Sequence, residues 1–131
     1  MNKLNVELMT IKNDTEDKVL AVFAGDYFTT CLEAEKCYEP FFTKFAHMVI
    51  KPNDIAIDLG ANLGYHTLTM AELVGNNGYV LSFDPQRVIY QQLNCNVFLN
   101  KYGNVMTYQL AVGEDFSDIY IDTPNYYHIS K

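Results

Sequence analysis

The sequence predicts an α/β protein built on a parallel sheet, and three observations carry that reading. Residues 55–112 alternate strand, helix, strand, helix, strand, which is two successive βαβ units and implies a three-layer core. The first of those strands, Ile55–Leu59, is a short apolar run of the kind buried on both faces of a parallel sheet. It breaks into the small-residue turn Gly60-Ala61-Asn62 and resumes as helix-compatible sequence from Gly64. A strand, a glycine turn and a helix start therefore follow one another directly, and together they make a ligand cradle.

The elements follow in order. Residues 5–12 alternate polar and apolar and read as an exposed strand; residues 13–17 are a polar turn, and Lys18–Phe23 is a second strand, so the chain opens on a hairpin. Residues 27–47 carry Leu32, Phe41, Phe42 and Phe45, with Met48 just beyond, at helical spacing and read as a helix packed on the sheet. Cys31, Cys37 and His47 in that stretch lack the neighbours that would activate them and read as structural. Lys51-Pro52-Asn53-Asp54 turns into the central strand. A helix over Tyr65–Val74 stops at the run Gly75-Asn76-Asn77-Gly78, and a second buried strand, Tyr79–Phe83, ends in Asp84-Pro85. Pro85 suits a helix start, and Val88, Leu93, Val97 and Leu99 carry that helix to about Asn100. Residues 105–112 read as the third strand, residues 118–122 as one more, and residues 123–125 as a turn into a short tail. Residues 1–50 thus form a hairpin and helical lead-in, and residues 51–131 a partial cofactor-binding core, in one structural unit.

Length and composition narrow the class. A chain of 131 residues, 49% hydrophobic and 19% charged, suits one domain with a real core. A net charge of −7 with nine Lys+Arg argues against a general nucleic-acid binder, which needs basic stripes. Three cysteines without paired spacing imply reduced thiols and no metal site. The N-terminus lacks the apolar stretch of a signal peptide, and the apolar run at residues 19–24 is too short to cross a bilayer. A cytoplasmic protein with no membrane contact is expected.

The chemistry centres on two carboxylates. Asp84 lies twenty positions after Gly64, at the end of the second parallel strand, where an acidic residue accepts hydrogen bonds from ribose hydroxyls. Such a charge-assisted bond contributes about 1.5–3 kcal/mol. Asp84 is equally suited to cap the following helix, and the two roles are compatible. The turn departs from the dinucleotide pattern G-x-G-x-x-G because Asn62 stands where the second glycine would be. Asp58, just before the turn, repels a pyrophosphate but suits a cationic amino group. A ligand with a ribose, an adenine and an ammonium-bearing tail fits these facts, and S-adenosylmethionine is such a ligand.

The residues Asp58-Leu-Gly-Ala-Asn-Leu-Gly-Tyr-His-Thr67, Gly78-Tyr-Val-Leu-Ser-Phe-Asp84-Pro85, Asn94-Cys-Asn-Val-Phe-Leu-Asn100 and Leu110-Ala-Val-Gly113 resemble the FkbM-type family of S-adenosylmethionine-dependent methyltransferases. Tyr38-Glu39-Pro40 resembles that family's lead-in. The resemblance implies a class I, Rossmann-like fold with helices on both faces of the sheet. It places Asp58, Gly60, Ala61, Asn62 and Gly64 along the methionine side of the cofactor, and Tyr65 and His66, with Thr67, at the helix start beside it. It places Asp84 on the ribose and Ala111 and Val112 near the adenine. His66 is a candidate base that the position does not require, and the catalytic residue stays unassigned. The implied reaction is O-methylation of a small-molecule or glycan acceptor.

One departure stands out. The family continues into a fourth strand with a Lys-Ile-Asp-Val-Glu-Gly-like block, and nothing similar follows Val112. The expectation is a fold truncated after its third core strand, doubtfully active alone, with a bare central-strand edge open to self-association or a partner chain. The rival readings are a non-catalytic nucleoside-binding or assembly module and, less well matched because of Asn62, a dinucleotide oxidoreductase fragment.

Overall fold

A computed structural model describes residues 3–12, 16–122 and 126. Strand β1 (Val6–Ile11) pairs antiparallel with β2 (Lys18–Phe23), Val6 opposite Phe23 and Ile11 opposite Lys18. Helix α1 (Tyr27–Glu35) starts where the Asp26 carboxylate accepts the Thr29 amide at 2.7 Å, satisfying one of the unpaired donors of the first turn. Helix α2 (Pro40–Val49) follows after a break. The single helical stretch expected over residues 27–47 is therefore two helices. Lys36 (φ 60°) and Glu39 (φ 48°) are both left-handed, and Pro40 bars the residue before it from right-handed helix, so the chain must leave α1 before it can enter α2.

The core is β3 (Ile55–Leu59), α3 (Tyr65–Val74), β4 (Tyr79–Phe83), α4 (Arg87–Leu99) and β5 (Val105–Tyr108). The three strands form a parallel sheet in the order β3-β4-β5, with Ile55 opposite Tyr79 and Phe83 opposite Tyr108. This is the parallel α/β class expected, with the N-terminal hairpin in place. The third strand is shorter than the expected 105–112, and residues 118–122 form no strand. The Asp84 amide makes the last bond, to the Tyr108 carbonyl at 3.1 Å; Pro85 follows with no N–H to extend the ladder. The expected turn and tail at residues 123–125 and 127–131, and residues 13–15 of the hairpin turn, lie outside the described residues.

Alternation along the strands sorts the sheet into two faces. Asp58, Val80 and Ser82 point under α3 and α4 and are buried, with Met70, Ala71 and Val74 packed on Val80. Ile55, Ile57, Leu59, Tyr79, Met106 and Tyr108 point the other way and are exposed, the three β3 residues by 68%, 57% and 59%. The layer of helices expected on that second face is not found among the described residues, because both crossovers, β3-α3-β4 and β4-α4-β5, run in one direction and must lie on the same side of the sheet.

A second core joins α4 to the hairpin. Leu93 and Val97 of α4 pack with Leu20 and Val22 of β2, Phe28 and Leu32 of α1, and Ala61, Leu63 and Leu68. The free edge of β2 is met by side-chain amides rather than a third strand. Asn100 accepts from the Val19 amide and donates to its carbonyl (2.9 and 2.7 Å), while Gln92 donates to the Ala21 carbonyl at 2.8 Å and Asn96 clasps Ala21 on both sides. Positions 92, 96 and 100 share one helix face, so this amide ladder is written into the sequence at four-residue spacing.

Gly78 sits where α3 hands over to β4. A Cβ there would stand 2.6 Å from the carbonyl oxygens of Asp54 and Val74, which are backbone and cannot move aside. Gly78→Ala is expected to destabilise the fold by about 1–3 kcal/mol, whereas Gly113→Ala, which meets open space, leaves the melting temperature unchanged; thermal denaturation of the two variants checks the contrast.

Candidate functional site

The connection from β3 to α3 reverses the chain with three left-handed residues, Gly60 (φ 78°), Asn62 (φ 51°) and Gly64 (φ 97°). Asparagine is one of the few side chains that adopts this conformation readily, so Asn62 substitutes for a glycine in backbone terms. Its Oδ1 accepts the Leu63 amide at 2.8 Å. The end of β4 holds the turn from one side: the Phe83 carbonyl accepts from Gly60 and Ala61, both at 2.9 Å, and Asp84 Oδ2 accepts from Asn62 at 3.1 Å. A Cβ at Gly64 would also stand 2.7 Å from Leu93 Cδ1, so a side chain there would have to displace the end of that leucine. No side chain caps α3 at Gly64, which leaves the first-turn amides directed at the C-terminal ends of the strands.

Asp84 is 4% exposed, and its second oxygen accepts the Gln86 amide at 2.9 Å. The cap expected of Asp84 is not made: the N-cap of α4 is Gln86, which has no side-chain cap bond, and Asp84 instead holds the Gln86 amide just ahead of the helix while its other oxygen holds the turn. Asp58 is 8% exposed and accepts from Thr67 Oγ1 at 2.6 Å; the same hydroxyl lies 2.9 Å from Ser82 Oγ. Burial pushes the Asp58 carboxyl above its usual range, the Thr67 hydrogen bond and the nearby His66 pull it down, and the charge of Asp84 pushes it up again.

His66 stands one residue into α3. Its Nε2 lies 2.7 Å from Glu39 Oε2, its ring is 3.9 Å from that of Phe42, and its Nδ1 is buried without a partner. Tyr65 turns the other way. Its ring packs against Phe28 and Tyr38, its hydroxyl accepts from the Tyr38 amide and contacts Cys37 Sγ, and burial pushes its phenol up to about 12, so it stays protonated near neutrality.

A cavity of about 550 Å³ opens beyond the ends of β4 and β5. Pro85, Gln86 and Val88 line one side and Leu110, Ala111 and Val112 the other. Of the residues expected from the sequence, Asp58, Gly60, Asn62, Gly64, His66 and Asp84 gather around the turn. Ala111 and Val112 lie across Pro85 from them at the cavity wall. Ala61 and Tyr65 have side chains in the hairpin-side core and offer only their backbone. Sequence reasoning missed Ser82, which supports Asp58 through Thr67, and Asn96, whose amide reaches the Leu63 carbonyl at 2.8 Å. It flagged Glu39 without its partner, His66, because a contact 27 residues apart leaves no mark in spacing.

Chemically, two buried carboxylates flank a strained turn, a helix start faces them and a cavity adjoins. Such a donor set suits hydroxyl and ammonium groups and opposes a pyrophosphate.

A model of the protein-L-isoaspartate(D-aspartate) O-methyltransferase (PCMT) family matches residues 39–114. No curated protein matches the sequence. Among solved structures, the fold is similar to that of P. horikoshii TYW2 in complex with MeSAdo (TM-score 0.56, 17% identity, 83% of this chain and 37% of that one). It is also similar to M. jannaschii TYW2 in complex with AdoMet (0.55, 18%, 82% and 44%). A third is a SAM-dependent O-methyltransferase from Thermotoga maritima (0.52, 18%, 78% and 40%). The chain spans about two-fifths of the length of these structures.

The raised Asp58 carboxyl has a consequence for stability. A carboxyl held above its unfolded value of 3.8 favours the folded chain below that pH and loses this contribution as pH rises through the folded value. Asp58→Asn keeps an acceptor for Thr67 and removes the buried charge. Its melting temperature is expected to exceed that of the parent at pH 7 by about 2–5 °C, and to match it below about pH 4; calorimetric scans across the acid range check both ends.

Proposed function

The chain belongs to the protein-L-isoaspartate(D-aspartate) O-methyltransferase (PCMT) family, and from that premise we propose that the turn between β3 and α3 binds S-adenosylmethionine for methyl transfer to an oxygen acceptor. The observation that carries the reading is the placement of Asp84 at the end of β4, where its carboxylate holds the left-handed turn and the next residue, Pro85, begins the wall of the 550 Å³ cavity. The residues present fit the cofactor. Asp84 would hold the ribose hydroxyls with lone pairs beyond those taken by Asn62 and Gln86. Asp58 would hold the ammonium end, and Pro85, Ala111 and Val112 would take the flat apolar base. When bound, the cofactor supplies a methyl group on a sulfonium centre.

The finer reading concerns the acceptor. The FkbM-like block at residues 58–67 and the Glu39–His66 pair support a hydroxyl acceptor on a small molecule or glycan. A hydroxyl must lose a proton as it attacks, and an imidazole paired with a carboxylate is a group that takes one; Nε2 of His66 holds Glu39 and Nδ1 is buried, so this role requires the ring to turn toward the acceptor. An acceptor that is already a carboxylate needs no base. A second reading is a non-catalytic nucleoside-binding or assembly module that keeps the fold for its surface; the apolar sheet face left uncovered by the described residues favours the assembly role.

Titration calorimetry with S-adenosylmethionine tests the proposal. The parent chain is expected to bind. Asp84→Asn, which keeps the shape and removes the charge, is expected to weaken binding about 10- to 150-fold, the equivalent of 1.5–3 kcal/mol. Equal affinity in the two proteins would sink the ribose assignment, and absence of binding in the parent would leave the assembly reading.

A further inference from the structure

We propose that Asn96 is a positioning residue: it couples the N-terminal hairpin to the cofactor turn, so that the placement of β2 sets the geometry of the turn and its affinity for the ligand. The affinity part rests on the cofactor reading above; the coupling itself does not.

Asn96 is fully buried in the middle of α4. Its Oδ1 accepts from the Ala21 amide at 2.6 Å, and its Nδ2 donates to the Ala21 carbonyl at 3.3 Å and to the Leu63 carbonyl at 2.8 Å. One planar amide therefore touches the middle of β2 and the inside of the turn at once. Leu63 is the residue between Asn62, whose amide is held by Asp84, and Gly64, which is pressed against Leu93. The Leu63 side chain is buried with Leu20 and Val22 of the same strand. The turn is thus held from above by the end of β4 and from below by the hairpin, and Asn96 is the polar part of the lower hold.

The residue type is demanded by the job. The site needs one acceptor and two donors in a plane, which asparagine supplies; aspartate offers no donor and would face two carbonyl oxygens. Asn100 makes the comparison. One helical turn further along, it clasps Val19 by both its amide and its carbonyl and donates to the Asn96 carbonyl, and none of its bonds reaches the turn. A residue that only fastens the hairpin to α4 behaves like Asn100; a residue that positions the turn does not.

The experiment compares the full 131-residue chain with Asn96→Asp and Asn100→Asp at a temperature where all three are folded. Two quantities are read: hydrogen exchange at the Asn62, Leu63 and Gly64 amides by NMR, without ligand, and the Kd for S-adenosylmethionine by calorimetry. Both variants are expected to lose thermal stability. Only Asn96→Asp is expected to speed exchange at the three turn amides and to raise Kd, each by about tenfold, within the usual span of coupling between sites. If Asn96→Asp does not fold, Asn96→Ser, which adds no charge, replaces it. Equal effects of the two variants on the turn amides, or no effect of the Asn96 variant on them, overturn the proposal. A parent chain that takes up no S-adenosylmethionine overturns the function proposed above, and exchange at the turn amides then decides the coupling by itself.

Discussion

Three consecutive amides of the turn, those of Gly60, Ala61 and Asn62, donate to two consecutive residues at the end of β4. Everything else in the core is arranged around that grip. It closes β3 onto β4 beyond the last ladder pair, fixes where α3 begins and brings the Asp84 carboxylate to the inside of the turn. Left-handed backbone costs a non-glycine residue energy, less for asparagine than for most, and the grip offsets that cost with charge-assisted and backbone hydrogen bonds. The backbone conformation is therefore a property of two strands together rather than of the turn's own sequence.

The two buried carboxylates illustrate how a site can be held in a form that is unfavourable for the isolated fold. Asp58 is buried near Asp84, which raises the free energy of its charged form. Thr67 and Ser82 compensate in part through a chain of hydroxyls. A fold selected for stability alone would place apolar groups there. Two buried acids beside an uncapped helix start therefore need donors from elsewhere to satisfy them. Glu39 belongs to the same pattern. It sits in a left-handed conformation ahead of a proline and uses that awkward backbone to bring a carboxylate to His66.

Much of the core was legible in the sequence. The strand–helix alternation, the glycine turn and the acid at the end of Tyr79–Phe83 are local patterns, and local patterns survive without tertiary information. Asn62 was legible too, but as a departure from a glycine motif; its tolerance of left-handed backbone shows why the departure keeps the turn's geometry. The break between α1 and α2 was signalled by Pro40, yet the apolar spacing on either side masked it. What the sequence concealed were relations between distant residues. Asn96 reads as one polar residue on an otherwise ordinary helix, and only the packing of α4 between β2 and the turn makes its amide a bridge. The uncovered sheet face was hidden for a similar reason: Ile55, Ile57 and Leu59 look like any strand buried on both sides, and which sides are covered depends on the hand of two crossovers.

That uncovered face gives the chain the behaviour of a patchy colloid. Its net charge of −7 produces repulsion between copies that reaches about 10 Å at 0.1 M salt and shrinks to about 3 Å at 1 M, while the apolar strand surface attracts only on contact. On these ranges, added salt removes the repulsion between two such surfaces while leaving the contact attraction of apolar side chains intact. The balance between the two turns on six exposed side chains, Ile55, Ile57, Leu59, Tyr79, Met106 and Tyr108, on the side of the sheet away from its helices.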